Sequence, residues 1–431
     1  YAPAIILSHI MGISLTMTIL LIGGLVIIYT VSGGTKAVSQ THKQQMFVIF
    51  LGMFIAFGML IAYITDFISF GNAVQVAGKL DKLEVIDPSF DLSNRYNIWS
   101  GILGGLFLQL SYFGTDQSQV QRYLSGQSIK QSRLGLLLNG LVKIPMQFFI
   151  LFTGVMVFMF YQFHQPPVYF NQASLQKVET SEYADQLEEV KDKHTANFKA
   201  KKAEIKALSQ ALENDASKEV IQERTKAVKS HLSKNEEYEE AVANLIQKAD
   251  PDAKVENDDY VFLSYVVNYL PVGIVGLLLA VIFSAAMSST AAELNALAST
   301  TTVDLYKRNI GGQKSERHYL QASRLFTMLF GFFAIAFAML ASLFENLIEA
   351  INILGSLFYG TILGIFLTAF FIKKVKANAV FIAALAAEAT VLLFYYFSDV
   401  EYLWFNLIGG LLVVILSLSL SQFMKDDPKQ S

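Results

Sequence analysis

Two serines and an alanine within a long apolar stretch have the types and the spacing of a small-cation site. Ala285, Ser288 and Ser289 are three and four residues apart, so in a helix they lie on one face. The small residue allows close backbone approach, and the hydroxyls supply the oxygen ligands that a hard cation prefers. Serines that bond back to their own helix, or that allow close helix packing, give the same pattern. Taken alone, these three residues favour that structural interpretation.

The rest of the chain has the composition of a polytopic membrane protein. Of 431 residues, 53% are hydrophobic and 16% are charged. The net charge of −3 and the lack of a basic patch argue against a nucleic-acid partner, and the absence of cysteine excludes disulfides and thiolate metal sites. The six histidines form no metal-ligand or triad pattern and no HExxH or GxSxG motif occurs, so a membrane enzyme is the least favoured class.

Apolar runs of 18 to 25 residues, the length that crosses about 30 Å of hydrocarbon, predict the elements that position these serines. We predict nine spans, the fifth longer than a bilayer, near residues 14–31, 44–66, 96–114, 136–161, 270–305, 322–343, 350–371, 377–397 and 403–422. The apolar start at Tyr1 has no basic n-region or cleavage site, so we interpret it as the end of an earlier helix in an N-terminally truncated chain.

The basic residues predict the orientation of the spans. The short loops on one side are 32–43, 115–135, 306–321, 372–376 and 423–431. They carry 14 Lys and Arg, whereas the opposite loops 67–95, 344–349 and 398–402 carry 3. The first set is therefore predicted to be cytoplasmic, with Tyr1 outside and Ser431 inside.

A charged segment over residues 162–268 separates two sets of spans. Apolar residues recur at three-and-four spacing through it, at Ile205, Leu208, Leu212, Ile221, Val228, Leu232, Tyr238, Val242 and Leu245. That period predicts two or three amphipathic helices, folded as a hairpin or short coiled coil outside the cytoplasm. The predicted domains are membrane helices over 1–161, this insertion over 162–268, membrane helices over 269–422 and a cytoplasmic tail over 423–431.

Two junctions on the cytoplasmic side carry unusual sequence. Gly33 and Gly34 are expected to end a helix and turn the chain. Thr115–Leu124 (TDQSQVQRYL) holds an acid, three glutamines and an arginine at a membrane boundary. It suggests a hydrogen-bonded junction that stays ordered or switches, although a capped loop would also explain it. The residues singled out there are Asp116, Gln117, Gln121 and Arg122.

These motifs together resemble the sodium/solute symporter family, which includes sodium–sugar, sodium–proline and sodium–sialic acid carriers. The resemblance rests on Thr115–Leu124 and on Ala285–Asn295 (AAMSSTAAELN) followed by Asp304–Arg308 (DLYKR). The run GG at 33–34, KAV at 36–38 and Thr41 supports it. The likeness covers every span but not the insertion, and the chain is similar to bacterial members of uncertain substrate.

The resemblance implies an all-α, leucine-transporter-like inverted-repeat core that works by alternating access. It implies a sodium ion held by the Ala285 carbonyl and the Ser288 and Ser289 hydroxyls, with further ligands from an earlier, broken helix absent from this chain. It also implies that Tyr112, with Gln109, closes the solute pocket, although Tyr112 would serve equally as an interfacial anchor.

Departures from the family pattern bear on stoichiometry. Two-sodium members have an acid after Thr41, where this chain has His42, and hydroxyls where it has Ala291 and Ala292. We therefore expect one sodium per cycle. A solvated histidine is favoured over a protonating one at His42. Glu293, one turn beyond Ser289, is left open between a structural pairing and a functional role.

The sequence thus predicts a multi-pass transporter of the bacterial inner membrane. Its expected partners are sodium, a small organic solute with a weak preference for a sugar or polyol, and the lipid bilayer. No cofactor other than sodium is expected. The alternative is a membrane sensor or receptor that keeps the carrier fold without net transport. The short tail after residue 422 argues against it.

Overall fold

The computed structural model describes residues 1–33, 35–84, 86–124, 128–251, 253, 255, 257–311, 314–340 and 347–424. The regular structure of this part is entirely helical. In chain order its α-helices are α1 (Ala2–Met11), α2 (Leu15–Gly33), α3 (Thr35–Thr65), α4 (Phe70–Lys79), α5 (Gly105–Thr115), α6 (Gln117–Leu124), α7 (Ile129–Phe163), α8 (Gln172–Glu179), α9 (Ala184–Glu213), α10 (Lys218–Ala249), α11 (Val261–Tyr269), α12 (Val272–Thr300), α13 (Glu316–Leu340), α14 (Leu347–Phe371), α15 (Ala377–Phe397) and α16 (Leu403–Phe423).

Eight helical segments in the described residues are long and apolar enough to cross a membrane. They include α2, α3, α7 and α13–α16. The eighth is α12 together with part of the π-helical segment Thr301–Gly311 that continues it. This candidate span, Val272–Asn309, has 38 residues, so the fifth span is longer than a bilayer requires, as predicted.

The count of nine spans is not confirmed. The predicted span 96–114 is helical over most of its length, but the π-helical turn Ser100–Gly104 interrupts it ahead of α5, which has only 11 residues. The structure also differs from the prediction of a loop over residues 32–43, because α3 already begins at Thr35. Polarity marks where a chain leaves the hydrocarbon, whereas a helix continues for as long as its backbone hydrogen bonds do.

The chain divides into two compact units, residues 1–84 with 142–343, and residues 85–141 with 344–431. In the first unit α12 packs on α2, α3 and α13, and α2 packs on α13. Glycines allow these helices to approach closely. A Cβ added to Gly331 would lie 2.4 Å from Ile27, and one added to Gly52 would lie 2.1 Å from Leu278.

The insertion forms a helical hairpin at one end of the first unit. Arg224 pairs with Glu204 at 3.0 Å, and the Asn197 amide donates to the His231 carbonyl at 2.9 Å, so α9 and α10 are antiparallel. All nine residues that gave the three-and-four period are buried or partly buried in its two cores. In the structure, α9 and α10 form an antiparallel hairpin, while the insertion's bounds as a domain and its placement outside the cytoplasm stay predictions.

The first hydrophobic core joins this hairpin to the apolar helices. Five of its residues are at most 1% exposed: Leu60 and Ile64 of α3, Met156 and Phe160 of α7, and Tyr265 of α11. The short helix α4 also contributes, since Ala73, Val76 and Ala77 are buried in this core. Sequence analysis had placed α4 in a loop.

The second unit is built around the contact of α14 with α16. Gly360 and Gly364 lie against the α16 backbone, where an added Cβ would be 2.5 Å from the Asn406 oxygen and 2.8 Å from the Gly410 oxygen, respectively. The Asn406 amide donates to the buried Ser356 hydroxyl at 2.7 Å. Small residues and one buried polar pair thus fix this crossing, as in many membrane bundles.

Candidate functional site

The predicted cation ligands lie past the middle of α12, in the first unit. The Ser288 side chain is 4% exposed, and its hydroxyl donates to the Ala285 carbonyl at 2.9 Å. Ala285 is half-buried and Ser289 is exposed. Two of the three predicted oxygens therefore lie together, and the third faces out of the described helix packing. The same hydrogen bond is the back-bond that a purely structural serine makes.

A hydrogen bond between α3 and α12 adjoins these residues and was missed by sequence analysis. The Gln45 amide nitrogen donates to the Ser284 hydroxyl at 2.6 Å, and the Gln45 oxygen is buried and accepts no hydrogen bond from the part of the chain that the structure describes. A polar pair this far apart in sequence has no local signal. It fixes the register of α12 one residue before Ala285.

The two positions that lack hydroxyls are near the serines. Ala291 is 1% exposed and Ala292 is half-buried, so neither offers a side-chain oxygen at this point of α12. Glu293 is exposed. The His42 side chain lies outside the part of the chain that the structure describes, so its prediction is not tested.

The Asp116 junction lies in the second unit, between α5 and α6. One Asp116 carboxylate oxygen accepts from the Ser118 amide at 2.9 Å and from the Ser118 hydroxyl at 2.7 Å. The other accepts from the Tyr359 hydroxyl of α14 at 3.1 Å. Asp116 therefore caps the start of α6 and ties it to α14. These contacts fit both the hydrogen-bonded junction and the capped loop that the motif left open.

A second contact holds the end of α5 on the same turn of α14. The Ser111 hydroxyl donates to the Tyr359 carbonyl at 2.8 Å and lies 3.2 Å from the Thr115 hydroxyl. Tyr359 is thus bound through both its backbone and its side chain. Sequence analysis did not identify it, because its partners are more than 240 residues away.

The other predicted residues at these junctions have mixed outcomes. Tyr112 is half-buried, with its ring 5.1 Å from that of Phe113. Gln109 and Gln117 are exposed. The α2 helix ends at Gly33, as expected. Gly34 and the side chains of Gln121 and Arg122 are outside the described residues.

Within α15, Glu388 is an acid that sequence analysis did not single out. Its side chain lies beside that of Thr361 on α14, and a carboxyl oxygen of Glu388 and the Thr361 hydroxyl are both buried. Acids within membrane spans are rare and often functional. The rest of α15 is an ordinary apolar span, so no motif in the sequence marks Glu388.

We expect Tyr359→Phe to destabilise the second unit. The change removes one donor from a carboxylate, and hydrogen bonds to charged groups contribute about 1.5 to 3 kcal/mol. A lower thermal midpoint of the purified protein in detergent would show it. Tyr396→Phe is the matched control, since that side chain is 73% exposed on α15. Equal midpoints for the two variants would contradict the role of the Asp116 contact.

A family model decides what kind of protein carries these features. The sodium:solute symporter family model matches residues 1–184 and 238–386. The chain belongs to the sodium:solute symporter family. That family consists of transporters, in agreement with the low rank given to an enzyme. The match leaves out residues 185–237, most of the α9–α10 hairpin.

The relatives of this symporter-family chain differ in the length over which they align with it. The human sodium/iodide cotransporter is 30% identical over 164 residues, which are 37% of this chain and 25% of that protein. The sodium/sialic acid symporter NanT of Aliivibrio fischeri is 23% identical over 437 residues, 99% of this chain and 68% of that protein. The chain thus spans a quarter of the first relative and about two thirds of the second.

A solved structure supports the all-α transporter fold. A Na⁺-coupled sialic acid symporter in a substrate-bound outward-open state superposes with a TM-score of 0.67. It has 20% sequence identity, and the match covers 98% of this chain and 70% of that chain. The predicted fold class is therefore confirmed, apart from the number of spans.

Proposed function

We propose that this protein is a secondary active transporter that moves a small organic solute inward together with sodium. Family membership supports sodium-coupled symport in general. The observation that carries the assignment to residues is the Ala285 carbonyl beside the Ser288 hydroxyl, 2.9 Å apart within a 38-residue candidate span. Inside the hydrocarbon of a membrane, a carbonyl or hydroxyl oxygen needs a partner, which is either another polar group of the protein or a bound ion.

The chemistry of this pair suits sodium. The backbone carbonyl has a second lone pair and the hydroxyl can rotate, so both oxygens can bind an ion without moving the helix. Ser289, which is exposed, offers a third oxygen on the same side. The family resemblance implies that further ligands come from a preceding broken helix, so α12 supplies one half of the proposed site.

Coupling follows if sodium binds the outward-open state more tightly than the inward-open state. An ion shifts a conformational equilibrium only by its difference in affinity for the two states. Sodium bound at α12 would favour the outward-open state, and the solute would then add contacts that allow the transition. We assign closure of the solute pocket to Tyr112 and Gln109 on α5.

We propose a sugar-like solute, with sialic acids as the first candidates. Both a long alignment and a solved structure concern proteins named for sialic acid transport. The test is thermal stabilisation of the purified protein by N-acetylneuraminate, glucose, proline and pyruvate, each in sodium and in potassium buffer. The proposal expects a sodium-dependent shift with N-acetylneuraminate or glucose. A shift only with proline or pyruvate would overturn the solute assignment, and no sodium dependence for any solute would overturn the function.

One sodium per cycle is expected. His42, Ala291 and Ala292 lack the charge and the hydroxyls that a second site uses in two-sodium members. In proteoliposomes, the membrane potential that stops net solute flux at a set sodium gradient gives the sodium-to-solute ratio. We expect a ratio of one, and a ratio of two would show that a second site exists despite these residues.

A further inference from the structure

A cavity of about 300 Å³ lies inside the first unit, between the α9–α10 hairpin and the end of α7. Its volume is at the lower end of the range of small-molecule sites. Apolar side chains such as Val157, Phe158 and Val168 form much of its wall. The polar members of the lining are Lys82, Tyr161, Gln162, His194, Lys201, Asn235, Glu236 and Glu239.

Lys201 is the most unusual of these residues. Its side chain is 2% exposed, and no hydrogen bond or ion pair to its ammonium group occurs among the described residues. The centroid of the Phe198 ring lies 5.7 Å from that ammonium group. Burial lowers the pKa of Lys201 to about 8, so the ammonium is still mostly charged at pH 7. A buried cation without a counter-ion is unfavourable unless a ligand supplies one.

The neighbouring histidine does not supply a counter-charge for the Lys201 ammonium. His194 is 5% exposed, and burial together with the Lys201 ammonium lowers the pKa of its imidazole to about 4. It is therefore neutral at pH 7. Lys201 is left as a fixed positive charge beside a neutral ring.

A second buried group in the cavity wall is also unsatisfied. Gln162 is 3% exposed, and its amide nitrogen donates to the Phe158 carbonyl at 2.8 Å. Its amide oxygen is buried and accepts no hydrogen bond from the described residues. An unpaired buried acceptor is destabilising, so this oxygen can accept a hydrogen bond from a ligand.

Two other polar groups in the lining, on Asn235 and Glu239, are already held by hydrogen bonds. The Asn235 oxygen accepts from the Asn197 amide at 2.7 Å, and Glu239 accepts from the Asn257 amide at 2.6 Å. Glu236 is exposed. Lys82 is exposed, and its ammonium lies 4.9 Å from the centroid of the Phe158 ring, so Lys201 is the buried cation of the lining. A single negative charge matches Lys201, whereas the two acids oppose a doubly charged anion such as phosphate.

We propose that this cavity binds a small hydroxylated carboxylate, whose carboxylate pairs with Lys201 and whose hydroxyl or amide group donates to the Gln162 oxygen. The site is distinct from the sodium-coupled path, because it is built on the hairpin. His194 and Lys201 fall within residues 185–237, which the family model does not match. The site therefore belongs to this chain and not to the family as a whole.

Gluconate and sorbitol form a suitable probe pair, since both are six-carbon polyols and only gluconate carries a carboxylate. The purified protein is titrated with each by calorimetry in sodium-free potassium buffer at pH 7. We expect gluconate to bind and sorbitol to bind at least tenfold more weakly. Equal binding, or no binding of either, would overturn the proposal.

Variants locate the binding within the protein. Lys201→Met should reduce gluconate affinity at least tenfold, while Lys199→Met, on the exposed side of α9, and Ser288→Ala should leave it unchanged. Loss of gluconate binding in Ser288→Ala with retention in Lys201→Met would move it to the transport site and overturn the proposal.

A stability measurement without ligand separates binding from misfolding. Lys201→Met removes an unpaired buried charge, so its thermal midpoint without gluconate should equal or exceed that of the unmodified protein. A lower midpoint would mean that the ammonium already has a stabilising partner, which would contradict the proposal.

Discussion

Replacing Ser288 with alanine is expected to raise the sodium concentration for half-maximal solute uptake by at least about tenfold. The change removes one oxygen ligand, and interactions of a polar group with a charge contribute about 1.5 to 3 kcal/mol, where 1.4 kcal/mol is a factor of ten. Ser289→Ala should have a similar effect, because its hydroxyl is the third proposed sodium ligand. The measurement is uptake as a function of external sodium in proteoliposomes.

Ser299→Ala is a control on the same helix. Ser299 is exposed, and its hydroxyl donates to the Ala296 carbonyl at 3.1 Å, the same three-residue back-bond that Ser288 makes. The Ser299→Ala variant should leave the sodium concentration for half-maximal uptake unchanged. If Ser288→Ala and Ser299→Ala behave alike, Ser288 is a structural serine and the assignment of the sodium ligands is wrong.

The second large effect is expected from Gly360→Ala in the crossing of α14 and α16. The added Cβ would lie 2.5 Å from the Asn406 backbone oxygen and 2.8 Å from the Asn406 Cα. Because both are backbone atoms, the helices must separate, and overpacking of this kind is destabilising by about 3 kcal/mol. We expect a much lower thermal midpoint in detergent and a low yield of folded protein.

Gly105→Ala is the matched control for this change. A Cβ at Gly105, in α5 of the same unit, meets nothing within 4 Å. Alanine should be neutral there or stabilise the helix by up to about 1 kcal/mol, since glycine is the poorer helix former. Equal midpoints for the two alanine variants would contradict the close α14–α16 packing.

Most of the helices could be predicted from sequence because their signals are local. An apolar run of membrane length needs no tertiary information, and Val228 and Val242 of the hairpin revealed their burial through spacing alone. The short helix α4 could not be predicted, because ten residues contain too few repeats of an apolar pattern to indicate a helix. The early start of α3 at Thr35 was missed because helices extend past the hydrocarbon.

The contacts that complete the candidate sites could not be predicted in the same way. Asp116 meets Tyr359, and Gln45 meets Ser284, across more than 230 residues of sequence. Periodicity places a residue on a face but does not identify the partner across it. Lys201 shows the same limit, since a lysine in a charged helix predicts exposure, and only the packing of α9 against α7 and α10 buries it.

Solute accumulation under a sodium gradient tests the central claim most directly. The protein is reconstituted in proteoliposomes, and uptake of the solute that gives a sodium-dependent thermal shift is followed after an inward sodium gradient is imposed. We predict a transient rise of internal solute above the external concentration, which disappears when potassium replaces sodium outside. Sodium-dependent binding without accumulation would instead indicate a sensor, and accumulation that is equal in potassium would contradict sodium coupling.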